Sequence, residues 1–167
     1  MLTAGPLIAL LFDLLLLFVL VWASVVDWRA MILPNRATLS VAVLGLVRVI
    51  VIGEPNGLDA IAGLALGGGL LLATRAAFQA LARREALGLG DVKLLAASGL
   101  WVGFEGIGPV LVIATVSALV AIILRALRTG ERGLAEPLPF GPFLAFGIVV
   151  VVWMAEWLRY QPWIWDY

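Results

Sequence analysis

From Pro6 to Val26 the sequence is almost unbroken Leu, Val, Ala and Phe, with Asp13 its only ionisable side chain. A helix of that length is about 31 Å long, which matches the roughly 30 Å hydrocarbon core of a bilayer. Inside lipid, backbone N–H and C=O groups must be paired within the protein, so a segment of this kind forms a helix. It lacks a basic segment ahead of it and is too long for the apolar part of a cleavable secretory signal. The run is therefore read as a retained first span.

Five further apolar runs follow, at about Arg36 to Ile52, Leu58 to Ala82, Asp91 to Phe104, Ile107 to Leu127 and Phe143 to Leu158. The breaks between them fall at Asp27–Asn35, Gly53–Gly57, Arg83–Gly90, Glu105-Gly106 and Arg128–Pro142, and Pro and Gly mark most of them. The pattern predicts an all-α, polytopic membrane bundle of about six transmembrane helices, forming one membrane-embedded domain over residues 1–167. Composition agrees: 63% of residues are hydrophobic and 13% charged, against about 25% charged in soluble domains. The formal net charge of zero excludes a strongly basic nucleic-acid footprint.

Charge orients the bundle. The odd-numbered breaks or their flanks carry Arg29 and Arg36, then Arg75, Arg83, Arg84 and Lys93, then Arg125, Arg128 and Arg132. The even-numbered ones carry only Glu54, Asp59 and Glu105. The excess of Lys and Arg places the odd loops in the cytoplasm and both termini outside. The closing cluster Trp153, Trp157, Tyr160, Trp163, Trp165 and Tyr167 fits an outer-interface anchor.

The sequence has no Cys and no His. Thiol chemistry and the usual neutral-pH base are thus excluded, and proton transfer must use Asp, Glu, Lys, Tyr or Arg. Two carboxylates stand out. Asp27 ends the first run, and Asp91 begins the fourth within Gly88-Leu89-Gly90-Asp91. An acid at the edge of lipid is costly and is a functional candidate by default. Both fall on the cytoplasmic side, so topology brings residues 64 positions apart to one membrane depth. The fourth run, roughly 21 Å of helix, is short for a span, as it would be if Asp91 lay below the lipid surface.

Other charges receive plainer readings. Asp13 lies about 21 Å along the helix axis from Asp27, too far to share a water with it, and pairs or snorkels. Arg48, near the outer end of the second run, snorkels likewise. Glu85 reads first as a solvated loop residue, with assistance at the cytoplasmic mouth as the alternative. Gly63 and Gly67, like Gly99 and Gly103, lie four apart and fit close helix packing.

Three segments resemble one family. Gly88-x-Gly90-Asp91-x-Lys93-Leu94-Leu95-Ala96-Ala97, followed by Gly99-x-Trp101-x-Gly103, is similar to the signature of prepilin peptidases, the bacterial Gly-x-Gly-Asp aspartic peptidases. Asp27 followed by Leu33-Pro34-Asn35-Arg36-Ala37-Thr38 resembles their first catalytic motif, with Leu33 in place of Ile and Ala37 in place of Leu. Pro139-Phe140-Gly141-Pro142 resembles their C-terminal block. The type IV pilus enzymes also carry a cytoplasmic Cys-x-x-Cys region and N-methylate the new terminus. That region has no counterpart here, so methylation is not expected and the chain looks more like the minimal peptidases of tight-adherence (Flp-type) pili.

The resemblance implies an endopeptidase of the bacterial inner membrane with Asp27 and Asp91 as its catalytic pair. It implies a prepilin-like substrate with a short basic leader and an apolar helix, cut on the cytoplasmic side just before that helix. Pilus or secretion assembly machinery would be a further partner. One carboxylate takes a proton from water while the other donates one, and the pair titrates as a unit. No metal or cofactor is called for. The helix dipole favours negative charge at Asp91 and disfavours it at Asp27, which assigns Asp91 as resting base and Asp27 as resting acid. Lys93, by its position beside Asp91, would tune that carboxylate or simply hold phospholipid headgroups. Gly88 and Gly90 would clear side chains from the path of an extended peptide, and they equally fit a plain turn. Pro34 and Asn35 would start the second helix, and Pro139, Phe140, Gly141 and Pro142 would shape the start of the last helix beside the site. The competing readings are a proton-coupled transporter or channel subunit, which would need acids spread through the membrane depth, and a scaffold of a secretion complex.

Overall fold

Among the described residues, 4–82, 88–129 and 137–159 of a computed structural model, every regular element is an α-helix. Expectations for Arg83, Arg84, Glu85, Arg132 and the aromatic tail from Tyr160 onward lie outside these residues. Helix α1 (Ala4–Ala30) carries the first apolar run and continues one turn past it. It stops where Met31 turns left-handed, φ 54°, with its N–H still bonded to the Asp27 carbonyl at 2.8 Å. Helix α2 (Asn35–Ile52) starts behind Pro34, whose carbonyl accepts the N–H groups of Ala37 and Thr38 at 3.0 and 3.3 Å. It ends at Gly53, whose left-handed conformation (φ 81°) lets its N–H cap the Val49 carbonyl.

Three more helices complete the bundle: α3 (Gly57–Ala82), α4 (Leu89–Thr129) and α5 (Gly141–Arg159). All five are long and apolar enough to cross a membrane. The expected fourth and fifth spans are both contained in α4, whose 41 residues are interrupted at Gly103 (φ 67°, ψ −170°), a backbone region open essentially only to glycine. The expected break at Glu105-Gly106 thus falls earlier, and both of those residues are helical. The two arms of α4 lie side by side. A Cβ on Gly67 of α3 would meet the Leu95 carbonyl of the first arm at 2.6 Å and Ile107 of the second at 3.1 Å. At the far end, Asp91 of the first arm and Arg125 of the second each share a cavity with Met31. One residue carries the reversal because its first amide has a partner elsewhere: Phe104 N–H donates to Asp59 Oδ1 at 2.9 Å.

Helix α4 is the centre of the bundle, packing on α2, α3 and α5, and most extensively on α3. There the glycines meet directly. A Cβ on Gly63 would lie 2.6 Å from the Gly103 carbonyl carbon and 2.7 Å from the Gly99 oxygen, so backbone rests on backbone. Helix α1 packs on α2 and α5 and scarcely touches α4. Leu16, Leu20, Leu94, Leu95, Ile107, Val110, Leu144 and Ile148 fill the core. Leu, Ile, Val and Phe side chains cover the outward faces, as a bilayer solvent requires.

Arg48 departs from the snorkelling expected of it. It is 2% exposed, donates to the Glu54 carbonyl at 2.6 Å, pairs with Glu156 of α5 and stacks 5.6 Å from the Trp101 ring centre. A charge with partners inside the bundle has no need to reach the interface. Trp101 in turn donates to the Val41 carbonyl at 2.9 Å, and Asp13 is buried within α1.

Candidate active site

The continuation of α1 past its apolar run places Asp27 in the last helical turn, not in a loop. Asp91 sits in the first turn of α4. Both carboxylates are buried, and both line one cavity of about 330 Å³ that occupies the gap between α1 and α4. A cavity of this size falls within the range of small ligand sites.

Gly88, Gly90, Asn35 and Lys93 line the same cavity, together with Met31 and Leu33. Lys93 Nζ donates to Asn35 Oδ1 at 2.8 Å, so the ammonium ties the start of α4 to the start of α2. Gly90 has a packing reason to be glycine: a Cβ there would lie 2.6 Å from the Leu33 Cβ. At Gly88 the nearest neighbour of an added Cβ is Asp91 Oδ2, at 3.3 Å. Pro34 stands one residue outside α2 and supplies its first acceptor.

The segment 139–142 makes the contact that sequence reasoning did not foresee. The Phe140 carbonyl accepts the N–H groups of Phe143 and Leu144 at 3.1 and 3.0 Å and so starts α5. The next amide, Gly141 N–H, points the other way and donates to Asp27 Oδ2 at 3.1 Å. A Cβ on Gly141 would sit 2.5 Å from that oxygen, so only glycine allows this approach. Pro139 lines a separate cavity with Trp28, Met31 and Arg125, and Pro142 lines an apolar groove between α1 and α5. Asp59 was also missed as a structural residue, since its partner Phe104 lies 45 positions away.

Two buried acids facing one cavity can hold a water between them, one taking its proton while the other gives one up. Among the described residues no three His, Cys, Asp or Glu side chains come together as a metal site.

Residues 14–124 match the profile of the type IV leader peptidase family. The chain is 34% identical over 137 residues to the prepilin leader peptidase/N-methyltransferase of Escherichia coli K12, covering 82% of this chain and 60% of that protein. It is 38% identical over 143 residues to the protein of the same name from Pectobacterium carotovorum, covering 85% and 50%. Leader peptidase HopD of Escherichia coli is 35% identical over 127 residues, covering 76% of this chain and 82% of HopD. The chain thus spans 50–60% of the length of the two relatives named for both activities. No solved structure matches it.

Proposed function

The chain belongs to the type IV leader peptidase family, and from that premise we propose that it is an aspartic endopeptidase removing leader peptides from prepilin-like membrane precursors. The observation that carries this reading is the convergence of Asp27 and Asp91, from two helices that scarcely touch, on one cavity. In the proposed reaction the ionised carboxylate takes a proton from water, whose oxygen attacks the scissile carbonyl carbon. The protonated carboxyl then gives its proton to the amide nitrogen as the C–N bond breaks. The leader leaves with a new carboxylate, and the mature protein keeps a new amino terminus. The pair has then exchanged protonation states, so its roles alternate.

The proposed setting is the cytoplasmic face of a bacterial inner membrane, with both termini outside. Its support is the run of cations Arg29, Arg36, Arg75, Lys93, Arg125 and Arg128 along the odd-numbered connections. A substrate helix in the bilayer would there present the peptide preceding it at the depth of the carboxylates. The 167 residues would act as one peptidase unit, with pilus or secretion assembly proteins as downstream partners.

The test is leader removal from a co-expressed prepilin precursor, followed by the mobility shift of the product. Asp27→Asn and Asp91→Asn should each abolish processing while the protein still inserts into membranes. Continued processing by either variant would remove the dyad from the mechanism.

A further inference from the structure

A second cavity of about 420 Å³ opens beside the carboxylates and shares two lining residues with theirs, Asn35 and Lys93. From that shared edge it runs along α2 past Thr38, Leu39 and Ala42, and along α4 past Ala96 and Ala97. On α2 these positions succeed one another turn by turn, so the groove follows the helix axis for about 10 Å. Its polarity changes along that length: an amide and an ammonium stand at the carboxylate end, with alanine and leucine beyond Thr38.

The groove exists because α2 and α3 both pack on α4 and barely on each other. The first arm of α4 is left as the floor of an open seam. Small side chains at 42, 96 and 97 hollow it out, and Leu39 (64% exposed) and Leu64 (39% exposed) stand at its sides. This is the shape into which an apolar helix docks, with small residues permitting close approach. A second apolar groove, between α1 and α5 and including Leu20, Val21 and Phe146, shares no lining residue with the carboxylate cavity.

We propose that the seam between α2 and α3 seats the apolar transmembrane helix of the substrate, with the polar segment ahead of that helix crossing Asn35 and Lys93 to reach Asp27 and Asp91. This rests on the peptidase reading above, and it adds where the substrate lies and which end faces the acids. Continuity decides between the two grooves, because of the two only the α2–α3 seam shares lining residues with the carboxylate cavity.

The absence of native cysteine makes the placement directly testable. Leu39→Cys and Ala42→Cys in the seam, with Val21→Cys and Phe146→Cys as controls, are each combined with Asp91→Asn to retain uncut substrate. Each is co-expressed with a full-length prepilin precursor that the wild-type protein cleaves, carrying a single cysteine in its helix, and oxidised in membranes. Crosslinks should form from positions 39 and 42 and not from 21 and 146. In parallel, Ala42→Phe should lower the kcat/KM for the full-length precursor, relative to a soluble peptide of its leader junction without the helix, by at least about tenfold. Crosslinking from 21 and 146 instead, or none from any position with the ratio unchanged (a groove that holds only lipid chains), would overturn the placement. A precursor left uncut by the wild-type protein would overturn the peptidase reading, and cleavage persisting in Asp91→Asn would remove the dyad from it; both results read out independently of the crosslink pattern.

Discussion

The Gly141 amide approaches to 3.1 Å of Asp27 Oδ2, across 114 positions of sequence. Through this bond the start of α5 aims the carboxylate that ends α1. Gly141→Ala would put a Cβ 2.5 Å from Oδ2 and 3.0 Å from Leu33 Cδ1, forcing the carboxylate to move. Displacement of a reacting group by about 1 Å can cost about 100-fold, so leader cleavage should fall by about that factor. Thermal unfolding in detergent should shift far less, which separates misplaced chemistry from a failed fold.

Arg48 and Glu156 form a pair that is 2% and 15% exposed. Arg48→Met leaves the Glu156 carboxylate without its guanidinium, and breaking such a pair from one side costs about 3–5 kcal/mol. Removing both charges in Arg48→Met/Glu156→Leu should recover much of that loss, because neither member of the pair then lacks the other. Unfolding midpoints of the two single variants and the double variant measure the coupling.

Asp59 supplies the cap for the second arm of α4. Asp59→Ala should cost about 1 kcal/mol, as removal of an N-terminal cap does, while Asp59→Asn should retain most of the stability. Gly103→Ala should be worse than either, since its backbone conformation alone costs a non-glycine residue on the order of 1–3 kcal/mol. The ordering Asn, Ala at 59, then Ala at 103 is the quantity to check by unfolding in detergent.

Two glycines of α3 should respond in opposite directions. Gly63→Ala drives a methyl into the backbone of α4 and should cost about 1–3 kcal/mol. Gly69 has nothing within 4 Å of an added Cβ, so Gly69→Ala should stabilise the helix by about 0.5–1 kcal/mol. Equal effects at the two positions would show that the glycine seam is not a packing contact.

These residues also show what the sequence made legible. Apolar runs marked the helices because lipid leaves the backbone few alternatives, and Asp27 and Asp91 stood out because acids at that depth are costly. The fold reversal was placed two residues late: Glu105-Gly106 has the composition of a turn, whereas Gly103 has the partner that completes one. That partner, Asp59, belongs to another helix and no local pattern points to it. Arg48 was assigned to the interface for the same reason, since the Glu156 that holds it inside lies 108 positions away. The Pro-Phe-Gly-Pro segment was placed beside the site by resemblance, but the bond from Gly141 appears only once α1 and α5 are packed. Local composition reports which segments leave water; charges and caps answer to partners that only folding brings together.

The glycine seam divides the molecule into unequal halves. A side chain can swing out of the way of an approaching ligand, whereas a peptide plane resting on another peptide plane has nowhere to go. Asp91 is therefore mounted on the anvil of this protein, clamped to α3 through Gly63 and Gly99. Any closing stroke around a bound polypeptide falls to the Asp27 half, whose helix packs on α2 and α5, scarcely on α4, and receives the Gly141 amide at its carboxylate.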